Sequence, residues 1–432
     1  MGTFATALSG LNAAQGLLQT ISNNLANMNT DGYKDQNLTF GDIYSQASIT
    51  NGSGDPIQTG YGVTVSSTDS NFSDGAPSAT NIDSNMALSG NGFFVTQGAS
   101  GLPNYTRSGD FTTNSAGEIV TPGGQLVMGY PAVNGAVNTS AALAPINVSN
   151  GLVSPAVPST TMGITANLNS GTAVNGTAPD SSLSVYDSLG QAHILTVSYI
   201  KTAANTWTYS VSIPTADTNW VAPNPQTTPP TTAPPTTVVG SGTLNFDSTG
   251  ALTSITNPVP ISIPTLSDGA APNLALSGPF GTVAALTGAV TNPTITQTAL
   301  DSATATATTD GFASGTLSSY AIQPDGTVEG TFSSGQTLAL GQVAVAGFAN
   351  NEGLTNVGNN SYQATTASGQ AQVGAAGTGG RGTITGGSVE LSNVNIATEF
   401  SRLIVAQQSY GSNAKSITTL QQLSQAALAM IQ

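Results

Sequence analysis

The sequence predicts a mainly β, multi-domain chain of antiparallel domains whose two ends are α-helices paired in coiled-coil fashion. Three observations lead there. Apolar residues recur at helical spacing at both termini, turn dipeptides punctuate the interior about every ten residues, and short alternating segments fill the gaps with no amphipathic helix between them. That interior pattern fits sandwiches or barrels rather than βαβ units. At roughly 150 residues per domain, 432 residues make about three domains.

The N-terminal element comes first. Phe4, Ala7, Leu11, Ala14, Leu18, Ile21, Leu25 and Met28 alternate by three and four, an apolar seam of heptad period, and residues 1 to 30 carry no charge. Gly10 and Gly16 each cost about 1 kcal/mol against Ala, so this helix is weak alone and is expected to fold on association. A terminal helix pair packed on the chain's own core is the competing reading.

The β interior follows. Asp31-Gly32, Asn51-Gly52, Asn91-Gly92, Asp268-Gly269 and Asp325-Gly326 mark turns. Strands are expected at Tyr61–Val65, Ser184–Tyr186, His193–Tyr199 and Gly341–Phe348. The proline-rich stretch Pro223–Pro235 reads as an extended loop. In the C-terminal element Ile396, Leu403, Tyr410 and Ile417 fall seven apart, joined by Ala406, Leu420, Ala427 and Ile431, while Glu399, Asn413 and Ser424 break the seam. Residues 416 to 432 are again uncharged.

Composition excludes whole classes of chemistry. The 21 acidic and 6 basic side chains make 6% of the chain against about 25% usually. With a net charge of −15 and Lys34, Arg107, Lys201, Arg381, Arg402 and Lys415 scattered singly, no basic patch exists for nucleic acid or anionic membrane. The absence of cysteine removes disulfides, thiolate metal sites and cysteine nucleophiles. No apolar run of about 18 residues spans a bilayer, and Met1-Gly2-Thr3-Phe4 opens no secretory signal, so export without a cleaved signal peptide is expected.

Two strings invite a chemical reading and fail it. Gly377-Thr-Gly379-Gly-Arg-Gly382 matches G-x-G-x-x-G, but strand and turn material follows where a phosphate-binding helix is required. His193 opens a strand on which Leu195, Val197 and Tyr199 share its face, the setting of a buried structural histidine. No catalytic, cofactor-binding or metal-binding residues are assigned, and no enzyme activity is expected.

Specific strings carry more. Asn24-Leu-Ala26-Asn27-Met-Asn-Thr30-Asp-Gly32-Tyr33-Lys34 resembles the A-N-x-x-T-x-G-Y-K signature of the flagellar rod and hook protein family. Ser392-Asn393-Val394-Asn395, Glu399-Phe400, Gln407-Gln-Ser-Tyr410 and Asn413-Ala-Lys415 resemble its C-terminal pattern, with Asn395 where an acid is common and Gln408 where Arg is common. Gly90-Asn-Gly92-Phe93-Phe94-Val95 and Tyr105-Thr106-Arg107 are similar to strings shared across the family. Val185-Tyr-Asp187-Ser-Leu-Gly190-Gln-Ala-His193, Gly242–Asp247 and Phe348–Leu354 are similar to its hook-type members.

The resemblance implies a nested architecture. Residues 1–30 and 395–432 would form an inner helical layer, 31–70 and 361–394 a connecting segment, 71–155 and 285–360 a first β-domain, and 156–284 an outer one. It also implies a homopolymeric helical tube outside the cell in the flagellar hook and basal body. That tube would be contacted by distal rod, hook cap and hook–filament junction proteins and supplied by the flagellar type III export apparatus. Assembly would run through Phe4, Leu11, Leu18, Ile21, Leu25, Met28, Ile396, Leu403, Tyr410, Ile417 and Leu420. A distal-rod-type protein and a secreted β-rich adhesin are the alternatives.

Overall fold

The computed structural model describes residues 2–50, 56–219, 235–283 and 290–429. The chain divides into two compact units. Unit 1 comprises Met1–Ser149, Ser319–Gly330 and Leu338–Gln432, and unit 2 comprises Asn150–Ser318 and Thr331–Thr337. Among the described residues no helix is long and apolar enough to cross a membrane.

Unit 1 begins with α1 (Gly2–Ala26). Its end is set by a tight turn in which Asn27 N donates to the carbonyls of Asn23 and Asn24 and Thr30 N to that of Asn27. Gly32 follows at φ +69°, where a Cβ would lie 2.5 Å from Ser108 N, so only glycine fits the corner. The seam therefore stops at Leu25, and Met28, expected on the helix, sits exposed in the turn. A long antiparallel hairpin, Gln36–Thr50 with Pro56–Ser70, pairs from Gln36↔Ser70 to Thr50↔Pro56 with register shifts after Thr39, Asp42 and Gln46. Its expected Asn51-Gly52 tip lies outside the described residues.

The β-core of unit 1 is built around Phe93–Gln97. This strand pairs antiparallel with Pro103–Thr106, with Leu126–Val133 and, through Val345↔Phe94, with Thr337–Gly347. One face buries Met86, Leu88, Phe94, Phe111 and Val345, and the other buries Phe93, Val95, Tyr105 and Tyr362. With both faces covered the strand reads as a continuous apolar run, which is why Phe93-Phe94-Val95 does not alternate. The segment around Gly377 is a turn between Gln372–Ala375 and Thr383–Gly386 in which Arg381 Nε donates back to Ala375 O at 3.1 Å. The chain closes with α2 (Ile396–Ala429), started by Asn395, whose Oδ1 accepts from Thr398 N at 3.1 Å as a helix cap. Ile431 lies outside the described residues.

Unit 2 holds a five-stranded antiparallel meander, Thr177–Tyr186, Ala192–Ala203, Thr206–Pro214, Thr236–Phe246 and Leu252–Val259, in sequential order. Strict alternation along Thr206–Pro214 puts Trp207, Tyr209, Val211 and Ile213 into one core with Val185, Leu195, Val197 and Leu244. A three-stranded sheet adds Ile295–Thr298, Met162–Asn169 and Ala303–Thr309. The last of these, Ala-Thr-Ala-Thr-Ala-Thr-Thr, alternates alanine with threonine, and its Ala307 packs against the unit 2 core. The sequence boundary put residues 285–360 with the first β-domain, whereas the strands Ile295–Thr298 and Ala303–Thr309 pair with Met162–Asn169 and Ile295 joins the unit 2 core. Residues 150–155 likewise belong to unit 2. Most of the proline-rich segment, residues 220–234, lies outside the described residues.

Candidate assembly interface

The family-signature residues converge where α1, the start of the long hairpin and the start of α2 meet. Asn24, fully buried, is satisfied on both ends of its amide. Oδ1 accepts from Gln36 N at 3.0 Å and from the Tyr33 hydroxyl at 3.1 Å, while Nδ2 donates to Gln36 O at 2.9 Å and to Glu399 Oε2 at 3.4 Å. One side chain thus ties three segments. Burial, then the carboxylates of Asp35 and Glu399, push the Tyr33 phenol up to about 12, so it remains a donor to Asn24.

A buried ionic cluster lies beside it. Lys34 Nζ contacts Glu390 Oε1 at 2.6 Å and donates to Ser73 O at 2.7 Å, and Arg107 Nη1 lies 3.4 Å from Glu390 Oε2 and 3.3 Å from Asp74 Oδ1. Burial drives the Lys34 ammonium pKa downward and Arg107 adds to this, while Glu390 opposes it. Arg107 also donates to Gly90 O at 2.7 Å and stands 5.5 Å from the Phe93 ring centroid. Asn393 completes the junction: its Oδ1 accepts from Asp35 N at 2.8 Å, and Nδ2 donates to Asn71 O at 2.9 Å.

Of the other signature residues, Gly32 N donates to Glu390 O at 2.7 Å and the Thr30 hydroxyl reaches Asn27 Oδ1 at 3.2 Å. Val394 is half-buried and Ala26 is exposed. The motif residues were visible in the sequence. Their partners Asn24, Arg107 and Glu390 were not assigned, although Asn24 and Arg107 stood inside quoted strings.

The two helices lie against each other inside unit 1, and α1 also packs on the hairpin. Gly10 lets them approach: a Cβ there would meet Asn413 Nδ2 at 2.9 Å. Ser9 Oγ accepts from Val63 N at 3.2 Å on the hairpin side. The seam is only partly consumed by this packing. Ile21 is buried, with Ala14 and Ala406, while Leu11, Leu18, Leu25, Leu403, Ile417 and Leu420 are half-buried. Phe4, Ile396 and Tyr410 stay exposed, as do Phe400 (52%), Ile404 (56%), Val405 (60%), Leu423 and Leu428, none of which the heptad reading had chosen. The pattern-breaking Glu399 and Asn413 turn out to be contact positions, bound to Asn24 and facing Gly10.

Family profiles match along the chain. "Flagella basal body rod protein" matches residues 4–34, "Flagellar hook protein FlgE/F/G D1 domain" 87–162, "Flagellar basal body protein FlaE D2 domain" 132–312, and "Flagellar basal body rod FlgEFG protein C-terminal" 385–430. The chain is 35% identical to the flagellar hook protein FlgE of Salmonella typhimurium over 98% of each chain. It is 34% identical to that of Escherichia coli, covering 97% of this chain and 98% of the relative. Among solved structures, the Helicobacter pylori flagellar hook protein FlgE2 superposes with a TM-score of 0.48 at 16% identity, over 71% of this chain and 98% of that one.

Proposed function

The chain belongs to the flagellar hook protein family, and on that premise we propose that it polymerises into the curved hollow tube that passes motor torque to the filament as a universal joint. It is a structural subunit of the flagellar hook. The observation that supports polymerisation through the termini is the apolar surface left on α2 after it has paired with α1. Phe400, Ile404, Val405, Leu423 and Leu428 are large side chains still open to water. Covering each is worth about 1.5–3 kcal/mol at most, so five together can offset the freedom lost on association. A surface on α2 that meets a different surface on the next copy is heterologous, and a heterologous contact whose rotation does not close on itself builds an open helical tube. Bending would use β-domains moving between nearly equivalent contacts.

In this reading α1 and α2 lie innermost, toward the channel. Partners are further copies of the chain, the distal rod, hook cap and hook–filament junction proteins, and the type III apparatus that exports the chain without a cleaved signal. No catalytic, nucleic-acid-binding or membrane-inserted role is assigned. Unit 2, most of which carries the FlaE D2 match, favours the hook over a distal-rod role.

Electron microscopy of the purified protein in polymerising salt tests this. Hollow tubes are expected from the unsubstituted chain. Ile404→Asp with Val405→Asp is expected to abolish them while leaving the monomer's melting temperature within about 2 °C, since both side chains are exposed in the monomer. Tubes that survive the double substitution would remove α2 from the interface.

A further inference from the structure

We propose that Asp187, His193 and Asp268 in unit 2 form a binding site for a divalent transition-metal cation of the zinc class. One ligand atom from each lies within 4.8 Å of the other two. His193 Nε2 stands 3.1 Å from Asp187 Oδ2 and 3.6 Å from Asp268 Oδ2. Two donors each about 2.1 Å from one ion are about 3.0 Å apart at a right angle and about 3.4 Å apart at the tetrahedral angle. The observed 3.1 and 3.6 Å each lie within about 0.2 Å of one of those values.

The carboxylates are oriented for this. Asp187 Oδ1 accepts from the backbone of Leu189 at 2.8 Å and Gln191 at 2.9 Å, and Asp268 Oδ1 accepts from Ala270 N at 3.0 Å. In both, one oxygen is held by the backbone and the other is turned to the imidazole. The two loops are tied directly, Ala271 N donating to Ser188 Oγ at 2.8 Å. On the far side of the ring His193 Nδ1, buried and outside hydrogen-bonding geometry with any neighbour, faces Asp217 Oδ2 at 3.3 Å. A carboxylate beside the ring nitrogen opposite the ion fixes a metal-bound histidine's tautomer once that N–H is aligned with it, and this makes Asp217 a positioning residue.

Charge points the same way. Three carboxylates surround one imidazole, and unit 2 contains seven aspartates against a single lysine. That lysine, Lys201, donates to the carbonyls of Ser170 and Thr172, so no lysine or arginine of unit 2 neutralises the cluster. A cation does. The imidazole donor selects a zinc-class ion over calcium or magnesium, which take oxygen ligands alone. With Asp268 about a quarter exposed, water can complete the coordination. Binding exchanges the Nε2 proton, where present, for the ion and releases it to solvent.

The test uses the full-length monomer, stripped with a chelator and titrated with zinc chloride. One zinc ion per chain is expected, with a rise in melting temperature of about 5 °C at one hundred times the dissociation constant. Asp268→Asn is expected to lower affinity at least tenfold and Asp217→Asn about tenfold, while Asp310→Asn, outside the cluster, leaves it unchanged. Cobalt(II) in place of zinc should give a visible absorption band that Asp268→Asn weakens. The substituted carboxylates are partly exposed, so loss of folding does not imitate loss of the ion. Failure of the unsubstituted chain to take up stoichiometric zinc overturns the proposal, as does equal affinity in Asp268→Asn and Asp310→Asn.

Discussion

Glu390 holds two cations, Lys34 and Arg107, in a pocket where both interacting nitrogens and the carboxylate are shut off from water. Removing ions from water costs several kcal/mol each, and their attraction repays this only while all partners are present. Glu390→Gln keeps the volume and removes the charge, leaving Lys34 beside Arg107. The expected loss is about 3–5 kcal/mol, read as a fall of roughly 10 °C in the melting temperature of the monomer. Replacing Lys34 by Met in the same chain should restore part of it, because the orphaned ammonium is then gone. A Glu390→Gln chain that melts like the unsubstituted one would show the cluster to be dispensable. Lys34 was legible as the last residue of a motif, but its partner lies 356 positions further on. Motif spacing reports local geometry, whereas ion pairing across the chain depends on the fold. His193 shows the same limit. Alternation placed it correctly on a buried strand face, yet two of the three aspartates around it come from a later 3-10 turn and a later loop that no periodicity connects to that strand.

α1 and α2 illustrate why heptad spacing is read more easily than helix contacts. Apolar periodicity located both helices to within a few residues, but it marked every seam position alike. In the chain by itself α1 buries Ile21 and Ala14 and leaves Phe4 open, since a two-helix contact covers only a narrow stripe of each cylinder. Gly10, which composition presents simply as a poor helix former, is where α1 makes room for Asn413 of α2. The nearest atoms to a Cβ at Gly10 are those of the side-chain amide of Asn413, which can swing aside. Gly10→Ala should therefore be tolerated and gain up to about 1 kcal/mol of helix propensity. Gly10→Val adds two methyl groups that the amide cannot clear, and it should wedge the helices apart. Sedimentation velocity under polymerising conditions is expected to show tubes for Gly10→Ala and monomer for Gly10→Val. Polymerisation of both would mean that the α1–α2 spacing does not matter for assembly.

Across the molecule, the 21 acidic and 6 basic side chains are unevenly distributed, and both chain ends are neutral. Neutrality at these positions has a physical use if the terminal helices line the channel. Fixed charges act over about 8 Å at physiological ionic strength, and inside a narrow channel an unfolded chain passes within that distance of the wall. A wall of amides and hydroxyls offers it hydrogen bonds that water exchanges freely, whereas a ring of lysines repeated by the helical lattice would hold each passing carboxylate. Asn12, Gln15, Gln19 and Ser22 form an exposed polar stripe along α1, spaced three and four apart. Replacing Asn12, Gln15 and Gln19 with Lys leaves the packed face of α1 untouched, so hooks of normal length are expected. Filament growth beyond them should slow severalfold, measured as filament length against time by fluorescent labelling, and raising external salt should not rescue it fully because the charges are enclosed. Normal hooks bearing filaments that grow at the usual rate would show that the neutral ends serve packing between copies rather than transport.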